Sequence, residues 1–144
     1  MKVKQVSIFV ENHKGALLDI ISILGENNID IKALCIADTV EYGVLRLIVD
    51  KPNEALSLLK ENRYVVKIND VIAIKISNEP GGLMDALKVL DAANLNVAYL
   101  YAFIGSYGNY ASVMLKVEDE DKAIELFKTH NIKLLSDDDL IKKD

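Results

Sequence analysis

The stretch Asn78-Glu79-Pro80-Gly81-Gly82-Leu83 is a polar turn that joins an apolar run to an amphipathic segment. The run before it, residues 71–76, is almost wholly apolar and predicts a buried strand. Behind the turn, apolar residues recur at the spacing of one helix face: Leu83, Ala86, Leu87 and Leu90. A glycine pair at a strand-to-helix turn permits a positive φ. It also leaves the first N–H groups of the helix free to bind a carboxylate or a phosphate.

A second copy of this turn lies upstream, at Asn12-His13-Lys14-Gly15-Ala16-Leu17. Gly15 corresponds to Gly81 at an offset of 66 residues (81 − 15 = 66). Farther along, Val49 corresponds to Val117 at an offset of 68 (117 − 49 = 68). The change of offset from 66 to 68 lies in a predicted hairpin of the second copy, where a longer loop costs little free energy. The chain is therefore an internal duplication.

The composition is that of an ordinary globular protein, with 51% hydrophobic and 27% charged residues among 144. A duplicated unit of about seventy residues predicts two small domains, residues 1–69 and 70–144. The formal net charge of −5 argues against a nucleic-acid partner, because binding a phosphate backbone needs concentrated Lys and Arg.

The sequence also predicts a cytoplasmic protein without membrane contact. Cys35 is the only cysteine, which permits no internal disulfide and fits a reducing compartment. No segment has the unbroken apolar length of a transmembrane helix. The first residues, Met1-Lys2-Val3-Lys4, lack the apolar core of a signal peptide.

Each unit is predicted to follow the order β-α-β-β-α-β. In the first unit the strands are 3–10, 29–39, 44–49 and 65–68, the helices cover 15–27 and a segment that begins at Pro52, and Asn69-Asp70 ends the unit. In the second unit a strand ends at Ile76, a helix ends at Ala93 and a strand begins at Leu95, followed by a strand at 111–117, a helix at 121–129 and a strand at 133–135. This order is typical of an α+β, ferredoxin-like fold, in which two helices cover one face of an antiparallel sheet.

The third strand of the first unit is apolar on nearly every residue: Val44, Leu45, Leu47, Ile48 and Val49. A strand that is apolar on both faces is expected to be covered on both faces. We therefore expect packing between sheets, in a homodimer.

The two first turns, Glu11-Asn12-His13-Lys14-Gly15 and Ser77-Asn78-Glu79-Pro80-Gly81, together with the repeated βαββαβ pattern, resemble tandem ACT domains. These are small regulatory modules that bind amino acids and are often fused to metabolic enzymes. The resemblance covers essentially the whole chain and is closest to stand-alone pairs of ACT domains. The second copy keeps the family's Asn-x-Pro-Gly turn, whereas Lys14 replaces the proline in the first.

The resemblance implies a site for a small amino acid at the interface between two ACT units. The family holds the ligand with this turn of one unit and with the start of the second strand, where an Asn often lies between two apolar residues. The corresponding triplets are Ile29-Asp30-Ile31 and Leu95-Asn96-Val97. The candidate ligand-binding residues are Asn12, His13, Gly15, Ala16, Leu17 and Asp30 in the first unit and Asn78, Pro80, Gly81, Gly82, Leu83 and Asn96 in the second.

The chemistry of these side chains suits a zwitterion. An Asn side chain donates to a carboxylate and accepts from an ammonium group, and the helix N-terminus favours the carboxylate. Asp30 would repel a carboxylate, so if only one site binds we expect it to be that of Asn78 and Asn96. The apolar first strand, with Val6, Ile8 and Val10 on one face, favours a branched or aromatic ligand side chain.

Structural interpretations of the same residues remain open. Gly15 and Gly81 serve the turn geometry in any case, and Asn12 and Asn78 are equally suited to cap the helices or form Asx turns.

Other polar residues have simpler interpretations than a site. His13 is expected in an exposed loop without a metal, and His130 at a helix end. Cys35 is expected to be buried and inert, and the run Asp137-Asp138-Asp139 to be a solvated acidic terminus. No metal or cofactor is expected.

The sequence thus predicts a non-enzymatic sensor that binds an amino acid, forms a homodimer and regulates a metabolic enzyme in trans. The alternative is a scaffold of the same fold that has lost its ligand, with Lys14 and Asp30 as signs of the loss. An enzyme such as an acylphosphatase needs an arginine near the first turn, and Arg46 and Arg63 lie elsewhere in the sequence. The stripe Tyr99, Tyr101 and Phe103 resembles RNA-binding sheets, but the acidic balance favours packing.

Overall fold

The structure is a computed structural model and describes residues 1–11, 13–38, 42–103 and 109–141. The chain divides into an N-terminal unit, Lys4–Asn69, and a C-terminal unit, Asp70–Asp144 together with Met1–Val3. Each unit is described by itself below.

The N-terminal unit contains two helices and four strands in the order β2-β3-β1-β4 across the sheet. Strand β3 pairs antiparallel with both β1 and β2. The elements are β1 (Val3–Glu11), α1 (Ala16–Glu26), β2 (Ile31–Asp38), β3 (Tyr42–Val49), α2 (Pro52–Glu61) and β4 (Val66–Ser77).

The C-terminal unit repeats this order from the second part of β4. Strand β4 pairs antiparallel with β6 and β7, and β5 pairs antiparallel with β6. The further elements are α3 (Gly82–Ala92), β5 (Val97–Ala102), β6 (Tyr110–Val117), α4 (Glu120–Thr129), β7 (Lys133–Leu135) and α5 (Asp137–Ile141). The predicted ferredoxin-like fold is thereby confirmed.

Strand β4 runs without a break through Asn69 and Asp70, which were predicted to end the first unit. Asn and Asp are depleted in strands, and the boundary between the two units falls between these residues. In the structure the Oδ1 atom of Asn69 accepts a hydrogen bond of 2.8 Å from the hydroxyl of Ser7 on β1. The side-chain amide of Gln5 also donates to Ser7, at 3.1 Å. Gln5 and Ser7 are buried, so this polar group of side chains holds Asn69 in the ladder.

Each unit has its own apolar core, formed where its helices pack on one face of its sheet. In the N-terminal unit the fully buried members are Val6, Ile8, Ile20, Leu24, Leu45, Leu47, Ala55 and Leu59. In the C-terminal unit they are Ile72, Ile74, Ala86, Leu90, Leu115, Ala123 and Phe127. The residues come from the predicted apolar faces of the helices and from alternate positions of the strands.

Strand β3 is buried on one face and partly buried on the other. Leu47 belongs to the core beneath the helices, and Ile48, which points to the opposite face, is only 1% exposed. Val44 and Arg46 on the face of Ile48 are half-buried, so that face is covered only in part, and the predicted homodimer stays a prediction.

The turn into α3 brings the backbone unusually close to the strand before it. A Cβ atom at Gly82 would overlap the carbonyl oxygen of Ser77, the last residue of β4. Gly82 is therefore required by packing, whereas its counterpart Ala16 tolerates a side chain in the first unit.

We expect Gly82→Ala to lower the free energy of unfolding by about 1–3 kcal/mol, because the strand end must shift to admit the methyl group. Gly25→Ala is the matched control, since a Cβ at Gly25 in α1 has no neighbour within 4 Å. That control should raise stability by about 0.5–1 kcal/mol, because alanine favours the helix. Urea unfolding of the three proteins gives both values. Equal stability of Gly82→Ala and the parent protein would contradict the close approach.

Candidate ligand-binding site

The first helix of each unit begins at a glycine in the left-handed conformation. Gly15 has φ 86° and ψ −8°, and Gly81 has φ 91° and ψ −7°. Each is the N-cap residue of its helix, and no side chain accepts a hydrogen bond from either helix start. The conformation is one that glycine adopts without strain. The structural role predicted for both glycines is confirmed.

Asn78 does not cap α3. The N-cap residue is Gly81, and it carries no side-chain cap, so capping by Asn78 was a wrong alternative. Asn78 is exposed, and its backbone N–H donates to the carbonyl oxygen of Asn109 at 2.7 Å. This bond ties the turn to the start of the hairpin strand β6. Asn12, the counterpart of Asn78, lies outside the described residues.

The other turn residues divide into exposed and inward-facing ones. His13 is exposed, with Nδ1 3.2 Å from the carbonyl oxygen of Lys14 and Nε2 3.9 Å from the carboxylate of Glu11. Leu17 and Pro80 are exposed as well, and Leu83 is half-buried. Ala16 is buried at the start of α1.

The starts of the second strands are held by one arrangement that occurs in both units. The carboxylate of Asp50 accepts from the backbone N–H of Asp30 at 2.9 Å, and the N–H of Asp50 donates back to the Asp30 carbonyl at 3.1 Å. Glu118 and Asn96 repeat this pair of bonds at 3.0 and 3.3 Å. The sequence did not predict this contact, although Asp50 and Glu118 occupy corresponding positions.

The side chain of Asp30 already has a cationic partner. Its carboxylate lies 2.7 Å from the ammonium group of Lys32, whose side chain is largely buried. An incoming ammonium group would have to compete with Lys32.

The turn and the strand start of one unit lie at opposite ends of a helix. Helix α3 has 11 residues and is therefore about 16 Å long, with Gly81 before it and Asn96 beyond its end. A small amino acid cannot contact both ends of such a helix. The predicted site consequently requires the turn of one unit and the strand start of another.

Two cavities of the C-terminal unit include Asn96. One, of 660 Å³, brings Asn96 together with Leu83 and the apolar side chains Leu87 and Leu95. The other, of 540 Å³, places Asn96 beside charged groups that mostly satisfy each other. There Lys2 lies 3.4 Å from Asp121, which raises the pKa of that lysine through a hydrogen bond and charge attraction. Asn78 and Pro80 line neither cavity.

A cavity of 410 Å³ in the N-terminal unit unites the first turn with an arginine. It is lined by Phe9, Val10, Glu11, His13, Ala16, Arg63, Tyr64 and Val65. Arg63 lies far from the first turn in the sequence, but it lines the same cavity as His13 and Ala16. Sequence position was therefore a poor guide to which residues lie near the first turn. Val6 and Ile8, expected to form ligand walls, are fully buried in the core instead.

A family model described as an ACT domain pair matches residues 1–143. The chain belongs to the ACT domain family. The solved structure of protein BT0572 from Bacteroides thetaiotaomicron is similar to this ACT domain pair, with 38% sequence identity and a TM-score of 0.92. The match covers 99% of the ACT domain pair and 98% of the BT0572 chain. The regulatory subunit of aspartate kinase from Thermus thermophilus, in a ligand-free form, is 14% identical and has a TM-score of 0.63 over 88% of this chain and 91% of that chain. At that identity the likeness shows the fold alone. No curated protein matches the sequence.

Among the other residues of the ACT domain pair with a prediction, Cys35 differs from expectation, whereas Asp138 and Asp139 are exposed as expected. Cys35 is half-buried and not buried. The acidic run forms the short helix α5, where Asp139 accepts from the backbone and hydroxyl of Ser136. His130 lies at the end of α4, as predicted, with Nδ1 2.9 Å from the carbonyl oxygen of Leu126.

Two further kinds of site are absent from the described ranges, a metal centre and a membrane-spanning helix. Within residues 1–11, 13–38, 42–103 and 109–141, no three metal-ligating side chains form a group that could hold an ion. In the same part of the chain, no helix is both long enough and apolar enough to cross a bilayer.

Tyr64 fixes one wall of the N-terminal cavity. Its hydroxyl donates a hydrogen bond to the carboxylate of Asp19 on α1. Burial, followed by the hydrogen bond and the negative charge of Asp19, raises the pKa of Tyr64 to about 12. The hydroxyl therefore stays protonated at neutral pH and is committed to Asp19.

We expect this pKa to make stability depend on pH in alkaline solution. The unfolded chain releases the phenolic proton near pH 10.0 and the folded protein near 12. The contribution is therefore complete below pH 10 and is lost as the pH rises to 12, because the unfolded state then binds fewer protons. Urea unfolding at a series of pH values should show a steeper loss for the parent protein than for Tyr64→Phe. Parallel profiles would show that the pKa of Tyr64 is not raised in the folded protein.

Proposed function

We propose that this ACT domain pair is a non-enzymatic regulatory protein that binds a small α-amino acid and passes on its occupancy. The observation that carries the proposal is the repeated helix start at Gly15 and Gly81, which no side chain caps. The free N–H groups of such a helix end favour a carboxylate. The family membership and the fold shared with an aspartate kinase regulatory subunit support the same role.

The C-terminal unit supplies the better candidate residues. Asn96 and Leu83 share a cavity whose walls include Leu87 and Leu95, so an amino acid with a branched or aromatic side chain fits its chemistry. Asn78 offers an exposed amide that caps no helix. The ligand is proposed to lie between the turn of one unit and the strand start of another, which is the arrangement that the length of α3 requires.

Signalling requires that the ligand prefer one arrangement of the units or of the assembly. We propose a homodimer that regulates a metabolic enzyme in trans in the cytoplasm. Exposed apolar side chains on helix α1 and strand β2 support an association between chains; they include Leu18 at 70% and Ile36 at 45% exposure.

A scaffold that has lost its ligand is the second candidate for the N-terminal unit. The observation that favours it is the ion pair of Asp30 with Lys32, which occupies the carboxylate of the candidate residue at that strand start. The two units would then differ in function, with binding confined to the C-terminal one.

A thermal-shift screen of the twenty amino acids tests the proposal. At about 100 times its dissociation constant, a ligand specific for the folded state stabilises by about 2.7 kcal/mol. We expect a branched or aromatic amino acid to raise the melting temperature of the full chain. The absence of a shift with all twenty would favour the scaffold.

Alanine substitutions then locate the site. Asn78→Ala and Asn96→Ala should each weaken binding by about threefold to tenfold, because one hydrogen bond to a charged ligand group is lost. Asn12→Ala should have a smaller effect. Asn53→Ala, at an exposed position of α2, serves as the control and should leave affinity unchanged. Calorimetric titration gives the four affinities, and equal or reversed losses would place the site in the other unit.

A further inference from the structure

Both units contain a cavity at the same place in the fold, where the first strand ends, the first helix begins and the last strand starts. The N-terminal cavity has a volume of 410 Å³ and the C-terminal one 380 Å³. Their linings correspond in part: Phe9 matches Lys75 and Ala16 matches Gly82 at the offset of 66, and Arg63 matches Asn131 and Val65 matches Lys133 at the offset of 68. The duplication therefore kept the cavity while its chemistry changed.

The N-terminal cavity has an apolar wall that is open to solvent. Phe9 is 48% exposed and Val65 66% exposed, and they are adjacent because the N–H of Phe9 donates to the carbonyl of Val65 at 3.0 Å. The corresponding residues of the C-terminal unit, Lys75 and Lys133, are the usual polar choice for such a surface. An exposed apolar pair beside a cavity is a feature of ligand sites.

Arg63 has a backbone conformation that does not suit an arginine. Four residues that follow helices α1–α4 have positive φ: Asn28 at 58°, Arg63 at 68°, Asn94 at 56° and Asn131 at 57°. Asparagine tolerates this conformation better than most residues, whereas a long side chain is strained there. Arg63 is the exception among the four, and it lines the cavity. A strained residue at a cavity indicates a function that outweighs the strain.

The N-terminal cavity is also lined by charged and polar side chains. The guanidinium of Arg63 forms no hydrogen bond or ion pair with any of the described residues. The carboxylate of Glu11 and the ring of His13 lie on the same cavity. The cavity therefore combines the cation of Arg63, the apolar wall of Phe9 and Val65, and the hydrogen-bond acceptor of Glu11.

We propose that this cavity binds a small organic carboxylate with an apolar body. Arg63 pairs with the carboxylate through its planar donors, and Phe9 and Val65 cover the apolar part. Glu11 accepts from an amino group where the ligand carries one. The site shares His13 and Ala16 of the first turn with the candidate residues of the proposed function, but it lies within one unit and uses neither Asn78 nor Asn96.

Calorimetric titration of the full chain tests this site with four compounds. L-phenylalanine and L-leucine carry an amino group, whereas hydrocinnamate and isocaproate keep the carboxylate and the apolar body without it. We expect binding of at least one compound. Tighter binding of the amino acids identifies Glu11 as a contact, and equal binding identifies the carboxylate and the apolar body as sufficient. Failure of all four to bind would overturn the proposal.

Arg63→Asn is the decisive variant. It should weaken binding by at least about tenfold, because a charged hydrogen-bonding partner is lost. It should also raise the melting temperature, because asparagine relieves the strain at this position. Arg63→Lys keeps the charge but loses the planar donors, so its affinity should lie between those of the parent protein and Arg63→Asn. A higher melting temperature with unchanged affinity would show that Arg63 binds nothing.

Two further variants separate this site from the proposed one. Val65→Ser should weaken binding, whereas Lys133→Ser at the corresponding position of the C-terminal unit should not. If Asn78→Ala and Asn96→Ala abolish binding while Arg63→Asn does not, this inference fails and the proposed function stands. The opposite pattern supports this site and rejects the other.

Discussion

A left-handed glycine at the start of the first helix is the constraint on which each unit depends. Gly15 and Gly81 reverse the chain between the first strand and the helix, and the turn they form directs the buried helix face onto the sheet. Because the glycine itself is the N-cap residue, no side chain occupies the helix start. One backbone conformation thus organises the core and leaves the helix start without a side-chain cap.

The duplication shows which features the backbone fixes and which the side chains are free to change. The carboxylate that holds the start of the second strand recurs as Asp50 and as Glu118, with the same two hydrogen bonds. The first-turn cavity also recurs, but Phe9 and Lys75 give it different surfaces. The two units therefore share the hydrogen bonds that hold the second strand, but they differ in the side chains that face solvent at the cavity.

The fold was predictable from the sequence because its determinants are local. Helical spacing, alternating strands and the two glycine turns fix every predicted element, and β7 has its predicted bounds. The exceptions depend on distant partners. Asn69 remains in a strand because Ser7 on another strand donates to it. The second strands begin two residues later than predicted, at Ile31 and Val97, beyond the residues that Asp50 and Glu118 hold.

The candidate site was predictable only in part, for the same reason. The turn residues are contiguous, so the motif was sufficient to predict the structural role of Gly15 and Gly81. Arg63 reaches the first turn only because β4 lies beside β1, and strand order across nearly fifty residues is not visible in local patterns. The comparison of the four helix ends could have singled it out, since Arg63 stands where Asn131 stands in the second copy.

The unbroken strand β4 bears on how this protein can be dissected. Strand β4 covers Val66–Ser77. Its residues up to Asn69 belong to the first unit and those from Asp70 to the second, without a linker between them. A fragment cut at Asn69 would expose a severed strand whose free edge invites pairing with other chains. A fragment boundary at this position therefore divides a strand and not a linker.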